Sequence, residues 1–167
     1  YNDKEFRGLE GAFGGIVSVA KESKVTDCQF DGALDFAGTN DNDEPAFVGG
    51  VEGYADEKST MTKSKMTGNV TVSTGSAQML CQVGGVVGMT EGTVTANEMT
   101  GDLKFSSGIS YVVAGGITST LSAKTVASNN SFMGKVTLGG SSLNVILGGL
   151  YGSVFSDRNF DNVSDKS

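Results

Sequence analysis

The side chains of this chain that could bind or activate a ligand are mainly carboxylates, because the sequence contains no histidine. Without histidine, the commonest general acid–base group and the Ser–His and Cys–His dyads are excluded. Asp41, Asp43 and Glu44 stand close together, and Ca²⁺ binds about six to eight oxygen atoms of this kind. The segment lacks the glycine and the distal glutamate of an EF-hand loop. It is the one candidate metal site, and no cofactor is expected.

Charge and hydropathy narrow the classes of partner. The 167 residues carry a formal net charge of −7, which repels phosphate backbones, so nucleic acid is not an expected partner. No apolar stretch approaches the ~18 residues that span a bilayer, so no transmembrane segment is predicted. The chain also has 25 glycines and one proline, and the spacing of the glycines indicates the fold.

The glycines occur in pairs that begin at positions 14, 49, 84, 115 and 148, in steps of 35, 35, 31 and 33 residues. Each pair is followed by an aliphatic residue and, two positions later, by glycine or serine. In the first copy these residues are Ile16 and Ser18. Specified residues at alternate positions are typical of a β-strand with one buried face.

A second motif lies about halfway through each unit. At alternate positions it has a small or polar residue, then Phe or Met, then Gly, then two bulky apolar residues. Its four copies are residues 28–36, 64–72, 97–105 and 130–138. A further apolar position precedes each copy, and its members are Val25, Met61, Val94 and Val126. The intervening positions vary, so one face of each strand is predicted to be buried.

These repeats predict an all-β fold, a parallel β-helix (β-solenoid) of about five coils without significant helix. Each coil would hold two or three short strands, with equivalent residues ~4.8 Å apart along the axis. One domain is expected over residues 1–167, with coils starting near residues 11, 46, 81, 112 and 145, as part of a longer protein. The glycine pairs would form corners, where they adopt positive φ and let the walls approach closely.

Stacking the coils places further residues in columns. An inward column contains Cys28, Ser64, Asn97 and Asn130, whose polar groups should bond to one another or to the turn backbone. The outward positions give columns without stacked carboxylate pairs, so no catalytic residue is predicted and the chain is not expected to be an enzyme. Cys28 and Cys81 would lie about two coils apart, beyond the ~7 Å Cα limit for a disulfide, as two buried free thiols.

Threonine pairs raise the alternative of a flat ice-binding face. They lie at residues 60 and 62, 93 and 95, and 118 and 120. Counted from their glycine pairs they begin at +11, +9 and +3. These unequal offsets predict that they do not share one column, which favours the ordinary β-propensity of threonine at strand positions.

The block Gly-Gly-aliphatic-x-small, followed by the strand small/Cys/Asn-x-x-x-Gly, resembles the GLUG-type repeat of bacterial cell-surface proteins. The resemblance covers roughly residues 11–163, and Ser18 and Ser119 depart from it by replacing the last glycine. It implies a solenoid like a parallel β-helix, an extracellular location, and a role in adhesion or scaffolding.

We therefore expect a non-catalytic, extracellular or cell-surface structural or adhesion protein that acts as a rigid repeat scaffold. Its expected partners are other surface proteins, glycans or copies of itself. One alternative is a carbohydrate-binding module whose aromatic platforms are Tyr54, Tyr111, Tyr151 and Phe155. Another is a filament subunit whose incomplete end coils are completed head to tail, because unpaired strand edges invite pairing with another chain.

Overall fold

The computed structural model of the protein describes residues 11–38, 45–74, 80–106, 111–139 and 144–154. These residues form 22 short β-strands and no helix, and all strand pairings among them are parallel. Four coils contain five strands each, and a fifth contains two. The prediction of an all-β solenoid is confirmed, whereas two or three strands per coil was too few.

Each strand of a coil belongs to a different sheet. Sheet A contains β1 Ala12–Gly14, β6 Ala46–Gly49, β11 Leu80–Gly84, β16 Tyr111–Gly115 and β21 Asn144–Gly148. Sheet B contains β2 Val17–Ala20, β7 Glu52–Ala55, β12 Val87–Thr90, β17 Thr118–Leu121 and β22 Tyr151–Val154. Sheet C contains β3 Lys24–Thr26, β8 Thr60–Thr62, β13 Thr93–Thr95 and β18 Val126–Ser128. Sheet D contains β4 Gln29–Phe30, β9 Lys65–Met66, β14 Glu98–Met99 and β19 Ser131–Phe132. Sheet E contains β5 Leu34–Gly38, β10 Val70–Thr74, β15 Leu103–Phe105 and β20 Val136–Leu138.

The glycine pairs lie in files along the axis. Gly14, Gly49, Gly84, Gly115 and Gly148 are successive register partners in sheet A. The second glycine of a pair packs against the second motif of its own coil, since a Cβ on Gly50 would lie 2.7 Å from Met66 Cγ. This confirms the expected close approach. The prediction that these glycines adopt positive φ is wrong, because none of the paired glycines has a φ between +20° and +160°.

Other residues take the left-handed backbone conformation, at the corner between sheets C and D. Asp27, Lys63, Ala96 and Asn129 have φ values of 53°, 52°, 57° and 55°. Such a φ turns the chain sharply within one residue. The sharp turn separates the strand of sheet C from the strand of sheet D, which is one reason why a coil has more strands than the hydrophobic pattern predicts.

The apolar columns of the second motif are in register, and they form the core. Phe30, Met66, Met99 and Phe132 are successive partners in sheet D. In the middle coils the core is closed to solvent, with Met66 and Met99 both at 0% exposure. At the ends of the described solenoid the core is open, and Phe13 and Ile16 are 39% and 45% exposed.

One column differs from the prediction in its fourth member. Val94 pairs with Ala127, and Val126 pairs with Thr93 instead. Val126 is 56% exposed. The interval of five residues to the Phe or Met of sheet D is kept in every coil, so Ala127 takes the inward position although valine is the more apolar neighbour.

The polar column Cys28, Ser64, Asn97 and Asn130 forms a ladder of side-chain to backbone hydrogen bonds. Asn97 Oδ1 accepts from the Ser64 amide at 2.8 Å, and Asn130 Oδ1 accepts from the Asn97 amide at 2.9 Å. Asn97 Nδ2 donates to the Met61 carbonyl at 3.1 Å, and Asn130 Nδ2 donates to the Val94 carbonyl at 2.8 Å. The expectation that these amides satisfy their neighbours and the turn backbone is confirmed.

The two cysteines are both unpaired, as expected, but only Cys81 is buried. Cys81 lies in sheet A beside Ala46 and Val112, and burial raises the pKa of its thiol to about 12. Cys28 is half-buried at the first position of the ladder, so the prediction of two buried thiols is wrong for this residue.

Candidate functional site

Asp31 is the carboxylate on the outward side between sheets D and E, at the turn from β4 to β5. Asp31 accepts hydrogen bonds from Thr67 Oγ1 at 2.6 Å and from Gln29 Nε2 at 2.7 Å. The Thr67 bond, followed by the Gln29 bond, lowers the pKa of the Asp31 carboxyl. Asp31 is therefore an ionised group held by neutral donors, which is not the arrangement of a general acid.

Metal-binding groups do not come together in the part of the chain that the structure describes, where no three Cys, Asp or Glu side chains cluster. The calcium candidate, Asp41, Asp43 and Glu44, lies outside the described residues. The Asp56 carboxylate bonds both within its own turn and to the first coil. Its carboxylate accepts from Ser59 Oγ at 2.7 Å and from the amides of Glu22 and Lys58. It thus ties the first coil to the second.

A shallow groove of about 270 Å³ follows the corner between sheets C and D. Its lining comes from three successive coils and includes Cys28, Ser64 and Ala96. Lys65 and Glu98 also line it, and their charged groups pair at 3.2 Å across two coils. The groove is a polar surface furrow, and the ladder residues Cys28 and Ser64 form part of its lining.

The threonine pairs are arranged differently from the prediction. Thr60 and Thr62 are direct register partners of Thr93 and Thr95, so two of the three pairs do share one face, on sheet C. The third pair, Thr118 and Thr120, lies in sheet B. Their offsets from the glycine pairs differ because the turn between sheets B and C is two residues longer in the second coil (residues 56–59) than in the third (residues 91–92). Unequal offsets therefore do not separate these two pairs.

The aromatic side chains proposed as sugar platforms do not form one surface. Tyr151 shares a column with Thr118, and its hydroxyl accepts a hydrogen bond from Asn130 Nδ2 at 3.0 Å, so it faces the ladder. Tyr54 packs against Phe47 with ring centroids 5.7 Å apart. Tyr111 is 41% exposed, and Phe155 lies outside the described residues. A flat aromatic platform is therefore not formed by the described members.

A buried carboxyl is the feature that the sequence analysis missed. Glu52 is 0% exposed, and neither Oε1 nor Oε2 has a hydrogen-bond partner. It stands in sheet B between Val17 and Val87. Burial, with a smaller contribution from the charge of Asp56, raises the pKa of Glu52 to about 8. The period-two pattern predicts one buried face, whereas consecutive residues of β7, such as Glu52 and Gly53, are both buried.

The fold places the chain in the class of parallel β-solenoids. No family model, curated protein or solved structure matches this chain. The described residues include no helix long and apolar enough to cross a bilayer.

Proposed function

We propose that the protein is a non-catalytic extracellular or cell-surface scaffold with a structural or adhesive role. The observation that carries the proposal is the unbroken register of the coils around a closed apolar interior. Met61, Met66 and Met99 are fully buried in the middle coils, while outward positions differ from coil to coil. Such a rod holds its shape through contacts between neighbouring coils and leaves its outer surface free to vary.

The resemblance to GLUG-type repeats supports the location and the adhesive role within this proposal. The net charge of −7 is compatible with this location and role, because a net charge far from zero favours solubility. Labelling intact source cells with an antibody against the folded domain tests the location. Surface labelling that disappears after external protease treatment is expected, and labelling that appears only after permeabilisation would overturn the proposed location.

A scaffold of this kind should carry force along its axis coil by coil. Single-molecule stretching should release units of 31–35 residues, each about 110–120 Å of extended chain at ~3.5 Å per residue. The matched comparison is the variant Asn97→Ala, which removes bonds from the third coil to its two neighbours and should lower the force of the releases at that coil, leaving the others unchanged. Extension without resolvable force peaks would contradict a role in carrying force along the axis.

The open ends favour one further candidate, self-association head to tail. Phe13 and Ile16 are exposed on the first coil, and Leu147 and Val154 are 41% and 40% exposed on the last described strands. Exposed apolar edges of parallel strands can pair with an equivalent edge on a second copy. Light scattering should then show mass that grows with concentration, and Phe13→Lys should reduce it. A constant monomer mass would exclude this candidate.

A further inference from the structure

Glu52 lies on the second coil, between the first coil and the third. Its neighbours along the column are Val17 on the first coil and Val87 on the third, so an acid occupies a position that the adjacent coils fill with valine. The carboxyl has no donor within reach. Loss of its proton would leave a buried charge without compensation, which proteins avoid by changing protonation state or by admitting water.

Few titratable groups surround this carboxyl. Strands β2 (Val17–Ala20) and β12 (Val87–Thr90), which pair with its strand, contain no titratable side chain. Asp56, on the turn that follows, is the charged group that acts on Glu52, and it disfavours ionisation. Tyr54, two residues further along the same strand, donates from its hydroxyl to Glu91 Oε1 at 3.2 Å. Tyr151 belongs to the same column of sheet B as Glu52, and its hydroxyl accepts from Asn130, the ladder residue of the preceding coil. Cys28 is the ladder residue of the coil that precedes Glu52, so its thiol has the equivalent position relative to Glu52.

The first coil lies at one end of the described structure, so it can separate while the inner coils stay stacked. Among the described residues it packs against one neighbouring coil only. Its core residues Val17, Phe30 and Leu34 are partly exposed, whereas Val87, Met66 and Val70 of the inner coils are fully buried. Separation of β2 from β7 would uncover Glu52 from below and leave the pairing of β7 with β12 intact. Local opening of this kind occurs in units that bury few apolar contacts.

We propose that Glu52 controls the first coil as a pH-dependent latch: the coil stays closed while the carboxyl is protonated and opens to hydrate the carboxylate when the proton is lost. Burial raises the pKa of Glu52 to about 8 in the closed form, and hydration in the open form would return the pKa to its ordinary value of 4.5. Between these limits the closed form binds one proton more. The ratio of open to closed coil therefore rises about tenfold per pH unit and levels off above the upper limit.

Hydrogen exchange followed by mass spectrometry tests the latch. Exchange rates of peptides from β1–β5 and from β13–β15 would be measured from about pH 5 to about pH 8.5 and corrected for the intrinsic pH dependence of exchange. For the wild-type protein, opening of the first coil should rise on the order of a thousandfold across this range, and the third coil should stay protected. In Glu52→Gln the first coil should lose this dependence, because glutamine does not titrate.

Two further variants keep the test decisive. Glu98→Gln removes a half-exposed carboxyl from the third coil and should retain the wild-type profile. Glu52→Val matches the column of Val17 and Val87 and replaces Glu52→Gln if that variant does not fold. An unchanged profile in both Glu52 variants would overturn the proposal. So would an equal pH response of all coils, since that would assign Glu52 to the stability of the whole solenoid.

Discussion

Removal of the Asn97 side chain is expected to destabilise the solenoid by about 2–4 kcal/mol. Asn97 Oδ1 accepts from the buried Ser64 amide at 2.8 Å, and Asn97 Nδ2 donates to the Met61 carbonyl and to Asn130 Oδ1, both at 3.1 Å. In Asn97→Ala the Ser64 amide is left buried without a partner, which costs about 1–3 kcal/mol. The two lost donor bonds contribute about 0.5–1.5 kcal/mol each. Relaxation of the corner offsets part of that sum.

Asn69→Ala is the matched control, because it removes the same side chain from a half-buried position with one bond, to the Asp102 amide at 2.9 Å. Water can replace that acceptor, so the expected cost is below about 1 kcal/mol. Urea unfolding of the wild type and of both variants measures the difference as a shift in midpoint at constant slope. If Asn97→Ala and Asn69→Ala agree within about 0.5 kcal/mol, the ladder does not stabilise the corner as argued.

Three further outcomes are expected. Gly85→Ala should lower the free energy of unfolding by more than about 3 kcal/mol, because the added Cβ would overlap Met99 Sδ and a backbone carbonyl. Gly149→Ala, at the equivalent position with nothing within 4 Å, should change the free energy of unfolding by less than about 0.5 kcal/mol. Equal losses in the two variants would contradict this. Ala96→Gly should gain about 0.5–1 kcal/mol in urea unfolding, since φ is 57° there; a loss would show that the left-handed conformation carries no strain. A thiol reagent near neutral pH should label Cys28 in the native protein and Cys81 only after denaturation, because burial raises the pKa of Cys81 to about 12; labelling of Cys81 in the native state would refute its closed environment.

The repeat could be predicted from the sequence because the inward residues are restricted at fixed intervals. Gly14 and Gly49, 35 residues apart, are register partners, and Asn97 and Asn130 meet in the ladder as expected. Parallel stacking converts equal sequence positions into spatial neighbours. The positions of these residues therefore followed from the spacing alone.

The errors fall where spacing and hydropathy disagree with the local turn. Val126 is the more apolar residue, yet Ala127 is inward because the turn to sheet D has a constant length. Thr60 and Thr93 are partners despite unequal offsets from their glycine pairs, because the turn between sheets B and C absorbs the difference. Hydropathy does not predict a buried position for Glu52, because charged residues are rarely buried. Turn lengths, and the burial of consecutive residues in one strand, depend on packing and cannot be predicted from the two-residue period of apolar residues.

The uniform register has an evolutionary consequence. Every inter-strand pairing in the described structure joins a coil to the next coil, and no pairing skips one. Duplication or loss of one whole unit within the gene would therefore keep every remaining partnership intact, with a new neighbour of the same kind on each side of the junction. The length of the rod is a trait that recombination can adjust in single steps, without redesign of the interior.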